Sequence, residues 1–254
     1  MRRFILIVSI AVLLFSMYQI GEYLISARDT GNLYRDISGI YYEGLADSGE
    51  DGEDKNSADT NDVKDHEKDA GGRSRINRLK DINPDIIGWI TIPGTKIDYP
   101  IVKGRDNSYY LNHDLLGNID RHGAIFMDYR NDPPVDENLV IYGHHMRDGT
   151  MFKDLMKYKK RSFYEDNGSI FLDMGGKTVE YEIFSAYISR ADNVDLILAF
   201  GDKKGYEKYF SGAKKRSLHP SDIDFADNNG MLTLATCTYE EKDARFVVHA
   251  RTRE

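Results

Sequence analysis

Met231-Leu-Thr-Leu-Ala-Thr-Cys237 is a β-rich run that ends on the only cysteine of the 254-residue chain. A polar and charged stretch, Thr238 to Ala244, separates it from a second such run, Arg245-Phe-Val-Val-His-Ala250. Strand alternation puts Met231, Thr233, Ala235 and Cys237 on one face and leaves the thiol at a strand end beside a polar loop. A hairpin of this kind returns Arg245 toward Cys237. Working outward, further strands are expected at Ile86 to Ile92, Lys96 to Val102, Ala124 to Met127, Asn138 to Tyr142, Ser169 to Leu172 and Thr178 to Ile188. Turn residues separate them. Short helices are expected around Ile76 to Ile82, Met151 to Lys160 and Lys203 to Lys214. Many short strands and a few helices, without regular strand-helix alternation, argue for a closed or nearly closed, mostly β barrel.

The composition narrows the chemistry. Thirty-four Lys and Arg face 42 Asp and Glu, for a formal charge of −8. Glu43 to Asp69 holds eleven of the acids against three lysines, so the rest of the chain is formally neutral. A neutral domain carries no electrostatic footprint for a polyanion, which argues against nucleic-acid binding. One cysteine excludes an internal disulfide framework and a multi-cysteine zinc site. His113 and His122 have no companions at ligand spacing, so no metal is expected.

Met1-Arg-Arg3 precedes an apolar run from Phe4 to Ile20, just long enough to span a bilayer. The arginines ahead of it predict a cytoplasmic N-terminus and an exported bulk. No convincing small-x-small cleavage site follows, which favours an uncleaved anchor over a removed signal. Arg28 to Tyr42 reads as a short juxtamembrane helix. Glu43 to Gly72 has too few large apolar residues to offset its ordering entropy and reads as a flexible acidic tether. The expected organisation is an anchor at 1–27, a juxtamembrane segment and tether at 28–74, and a single domain at 75–254.

An exported lone cysteine at a strand end is a candidate nucleophile, because the thiolate is the reactive form and a nearby imidazolium stabilises it. The candidate imidazoles lie in Asn138-Leu-Val-Ile-Tyr-Gly-His-His-Met146. If the strand continues, His144 shares a face with Val140 and Tyr142, and His145 falls on the other with Leu139 and Ile141. Acyl transfer also needs a donor for the oxyanion, which Arg245 supplies. Spacing alone leaves this a Cys/His/Arg hypothesis.

From Ile82 to Arg251 the chain resembles the sortases, class B in particular. The resemblance rests on Thr-Leu-x-Thr-Cys ending at Cys237, Arg245 eight residues later, and Tyr142-Gly-His-His-Met146. Gly88-Trp-Ile-Thr-Ile-Pro93, Ile97-Asp-Tyr-Pro-Ile-Val102, Tyr109-Tyr-Leu111, Gly123-Ala-Ile-Phe-Met-Asp128 and Gly149-Thr-Met-Phe152 support it. It implies a closed eight-stranded barrel with an N-terminal helix and a helix-bearing insertion between late strands, here Ser189 to Asn229. Cys237 would be the nucleophile, His144 the general acid and base, and Arg245 the carbonyl or oxyanion stabiliser. His145, His249 and Arg251 would be structural or surface groups. Ala235 stands where relatives often have Ser. The implied reaction cleaves a Pro-x-Thr-Gly or Pro-x-Thr-Asn type sorting signal after Thr through a thioester. The surface protein then passes to a peptidoglycan amine at the outer face of a Gram-positive plasma membrane, with no cofactor. The rival readings are hydrolysis by the same residues and a catalytically silent peptide-binding domain.

Gly175-Gly176-Lys177-Thr178 lacks the first glycine of a phosphate-binding loop and reads as a turn between two strands. Asn167-Gly168-Ser169 likewise reads as a turn entering a strand.

Overall fold

The computed structural model describes residues 1–43, 75–133, 135–175, 177–190, 196–224, 230–237 and 244–253, with only the backbone at Leu24 and Cys237. The expected acidic tether and the loop after Cys237 lie outside the described residues. Helix α1 (Arg2–Tyr42) is followed by α2 (Arg75–Leu79) and then by the strands β1 (Ile86–Thr91), β2 (Asp98–Val102), β3 (Phe126–Met127) and β4 (Asn138–Tyr142). A 3-10 helix (Phe152–Lys159) and α3 (Arg161–Asp166) lead into β5 (Ser169–Asp173) and β6 (Thr178–Arg190). Helix α4 (Lys203–Arg216), β7 (Met231–Cys237) and β8 (Ala244–Thr252) complete the order. The eight strands close a barrel in the order β1-β2-β3-β4-β7-β8-β6-β5.

Alternation sorts the side chains. One parity fills the barrel with Ile90, Ile101, Ile125, Met127, Leu139, Ile141, Leu172, Leu232, Leu234, Phe246 and Val248. The other points outward and is covered in places. Trp89, Val102 and Phe126 pack beneath α1 and α2 with Ile37, Tyr41 and Leu79. Phe184 and Met231 pack beneath α4 with Tyr206, Phe210 and Ala213. Burying each large side chain contributes about 1.5–3 kcal/mol.

Two expectations are made more specific. The helix expected at Met151 to Lys160 forms as a 3-10 helix, Phe152–Lys159. Its buried side chains, Phe152, Leu155 and Tyr158, fall every third residue, and the three-residue turn stacks them on one face. The anchor and the juxtamembrane helix form one continuous 41-residue helix, and its C-terminal half is docked. Tyr41 stacks on Trp89 with centroids 4.1 Å apart and planes 5° apart. Tyr42 Oη and Trp89 Nε1 both donate to Asp98 Oδ1, at 2.8 and 2.6 Å. Over Phe4 to Ile20 the large apolar side chains are exposed, and the helix is long and apolar enough to cross a membrane.

The Gly175 turn forms as expected, with φ of 87° and its N–H donating to Asp173 Oδ1 at 2.7 Å. Gly176 lies outside the described residues.

Candidate active site

Two ladders bring the candidate residues together. In the antiparallel β7–β8 pair, Cys237 stands opposite Arg245. The eight-residue spacing in the sequence is therefore a cross-strand pair. In the parallel β4–β7 pair, Val140 stands beside Thr233 and Tyr142 beside Ala235. Pairing ends with the Gly143 N–H donating to the Ala235 carbonyl at 3.3 Å. The last β4–β7 pair is Tyr142 with Ala235, and His144 and Cys237 each follow that pair by two residues along their own chain segments.

Gly143 lets this strand end sit tight. A Cβ at that position would stand 2.4 Å from Ile125 Cδ1 and 2.8 Å from Phe152 Cγ. Beyond it the two histidines part as the alternation requires. His145 is buried, while His144 is partly exposed at the edge of a cavity of about 210 Å³. Asn107, Leu111, Phe126, Tyr142, Gly143, His144, Ala235, Thr236 and Arg245 line that cavity. His144 Nε2 lies 2.7 Å from the Leu111 carbonyl oxygen. A carbonyl only accepts, so Nε2 carries the hydrogen and Nδ1 is left for proton transfer.

The cavity wall opposite is held by a buried carboxylate. Asp128 accepts from Tyr142 Oη at 2.9 Å, Asn107 Nδ2 at 3.1 Å and the Arg130 guanidinium at 2.8 and 2.9 Å. Burial pushes the Asp128 pKa up, yet these donors outweigh it and hold the group at about 2. Burial and the Asp128 charge together push the Tyr142 hydroxyl well above the ordinary tyrosine value. Tyr142 thus stays a neutral donor, and its ring lies 6.0 Å from the Arg245 guanidinium carbon. That contact lies at the outer reach of a cation–π interaction.

Thr236, part of the Thr-Leu-x-Thr-Cys run, also lines the cavity. Its Oγ1 is buried without a hydrogen-bond partner among the described residues. Strand alternation puts it on the face of Leu234 and Phe246, toward the barrel interior. Sequence reasoning missed Asn107, which comes from the long β2–β3 connection, whereas Leu111 closes the Tyr109-Tyr-Leu111 run.

The remaining histidines do structural work. His249 is fully buried on the outer side of β8, with Nε2 2.9 Å from Tyr187 Oη and Nδ1 2.9 Å from Thr233 Oγ1. Burial, reinforced by the Arg216 charge, lowers its pKa to about 3. The folded state therefore holds it neutral, whereas the unfolded chain protonates it near its ordinary value of 6.5. Its contribution to stability is complete above pH 6.5 and is lost as the pH falls toward 3. Urea unfolding is expected to show the native protein losing about 1.4 kcal/mol more than His249→Gln between about pH 7.5 and 5.5. Equal losses would contradict the neutral buried imidazole. Arg251 pairs with Glu182 at 2.5 Å. His122 is buried between the carboxylates of Asp120 and Asp148, at 2.6 and 2.7 Å.

The comparisons agree with this geometry. The family model described as Sortase domain matches residues 90–253. Sortase B of Listeria monocytogenes is 32% identical over 248 residues, covering 96% of this chain and 94% of the relative. The Staphylococcus aureus sortase B-substrate complex superimposes with a TM-score of 0.76 at 29% identity, covering 91% of this chain and 99% of that one. A sortase B complexed with triglycine gives 0.75 at 28% identity, covering 90% and 99%. With the barrel order, the Cys237–Arg245 pair and this likeness along nearly its whole length, the chain belongs to the sortase family, in its class B, and is a cysteine transpeptidase.

Proposed function

We propose that Cys237, His144 and Arg245 carry the reaction, and that the substrate is a Pro-x-Thr-Gly or Pro-x-Thr-Asn type sorting signal cut after Thr. The observation that supports this reading is the Cys237–Arg245 cross-strand pair, taken with the cavity that His144 and Arg245 both line. The Cys237 thiolate attacks the Thr carbonyl carbon. Arg245 stabilises the oxygen as it takes on negative charge. His144 Nδ1, which has taken the proton of the Cys237 thiol in forming the thiolate, gives it to the amine as the peptide C–N bond breaks, leaving a thioester. A peptidoglycan amine then attacks the thioester, passes its proton to His144 and releases the thiolate. A sortase B with bound substrate and another with triglycine support a peptide donor and an amine acceptor of this chemistry. Side chains supply every group these steps need, so no cofactor enters them.

The long apolar helix supports a single-pass anchor with its N-terminus in the cytoplasm and the barrel, residues 75–254, on the outer face of a Gram-positive plasma membrane. There the barrel would join surface proteins to the wall. A panel of Pro-x-Thr-Gly, Pro-x-Thr-Asn and scrambled peptides, read for the bond cut, tests the substrate. Cleavage after Thr in the first two and none in the third is expected; equal cleavage of all three would overturn it.

A further inference from the structure

The β2–β3 connection, which supplies Asn107 and Leu111 to the cavity, also carries two bare apolar side chains. His113 and Ile119 bridge across a tight hairpin. Asp114 braces it, its Oδ1 accepting from the N–H groups of Leu116 at 2.9 Å and Asn118 at 2.8 Å. Gly117 supplies the left-handed turn with φ of 81°. The result is an ordered loop that leaves Leu116 51% and Ile119 87% exposed. Two apolar side chains of one short, braced hairpin are thus left uncovered.

Position identifies the partner. The Arg121 guanidinium carbon lies 4.3 Å from the Tyr23 ring centroid. Thr30 Oγ1 donates to Asp120 Oδ2 at 2.8 Å, and Ser26 Oγ lies 3.5 Å from His122 Nδ1. Residues 120–122 are therefore fastened to α1 between Tyr23 and Thr30. A helix rises 1.5 Å per residue, so these contacts begin about 4.5 Å beyond Ile20 and end about 15 Å beyond it. A hydrocarbon core of about 30 Å takes about 20 helical residues, which from Phe4 reach Tyr23. Each interfacial layer adds roughly 5–8 Å, so Arg121 at Tyr23 and His122 beside Ser26 lie at headgroup depth, and Asp120, fastened to Thr30, lies just above it.

We propose that the hairpin from His113 to Ile119 is a membrane contact, with Leu116 and Ile119 set into the interface of the bilayer that α1 spans. The proposal rests on reading α1 as an anchor. Tyr23 and Arg121 suit the same depth, where an amphipathic ring and a snorkelling cation are favoured. Helix α1 and the hairpin then hold the barrel at two points, and the cavity that Leu111 lines opens at a fixed, short height above the lipid surface.

The test uses full-length protein with Cys237→Ala, carrying one added cysteine at Phe15, Leu116, Ile119 or Leu218. Each is nitroxide-labelled and reconstituted in phosphatidylcholine and phosphatidylglycerol vesicles. Power saturation compares access to oxygen, which concentrates in lipid, with access to a polar nickel chelate. Labels at 116 and 119 are expected to favour oxygen several-fold over the exposed control at Leu218 and to group with Phe15. If they group with Leu218 while Phe15 favours oxygen, the anchor stands and the hairpin contact is overturned. Protection of 119 from both reagents would mean a protein covers it, which also overturns the proposal. A Phe15 label that favours the chelate would remove the anchor reading and the proposal with it.

Discussion

Cys237→Ala is expected to lower peptide cleavage by about 10⁴-fold or more, the scale on which loss of a covalent nucleophile is felt. The substitution leaves the fold standing. β7 is paired on both sides, with β4 through Ala235 and with β8 through Cys237 itself, and these backbone bonds do not depend on the side chain. The barrel interior at this level is filled by Leu234, Phe246 and Val248. Matching urea midpoints beside a collapse of turnover would therefore place Cys237 in the chemistry. As the chain has one cysteine, no second thiol can rescue the reaction.

Arg245→Ala is expected to cost about 10²- to 10³-fold in kcat, the usual effect of removing one donor to a developing oxyanion. KM should change much less, because the charge that Arg245 meets is present in the transition state and not in the bound peptide. Arg245→Lys should recover only part of the loss. The lysine keeps the positive charge but loses the planar donor fork that faces the Tyr142 ring. A variant that raised KM alone would reassign Arg245 to peptide binding.

The strands were legible because their apolar runs and turns follow the two-residue period. The Cys237–Arg245 pair was legible because one hairpin fixes it locally. The two-histidine parity was legible for the same reason, and the buried His145 and cavity-edge His144 follow it. What brings His144 to Cys237 was not legible from pattern: the parallel β4–β7 register joins distant parts of the chain, and only the family resemblance carried it. Asn107 was missed because its place in the cavity wall arises from the path of the β2–β3 connection. The docking of α1 was missed because Tyr41 on Trp89 and Thr30 on Asp120 are tertiary contacts with no periodic trace.

The most direct test of the account is intact-mass spectrometry of the full-length protein mixed with a Pro-x-Thr-Asn peptide, before and after addition of triglycine. The account predicts an adduct of the peptide's N-terminal fragment on the native chain and none on Cys237→Ala. It further predicts that the adduct disappears on triglycine addition as a fragment-triglycine product forms. Turnover of the peptide by Cys237→Ala at the native rate, or an adduct that mapped to any residue other than Cys237, would contradict it.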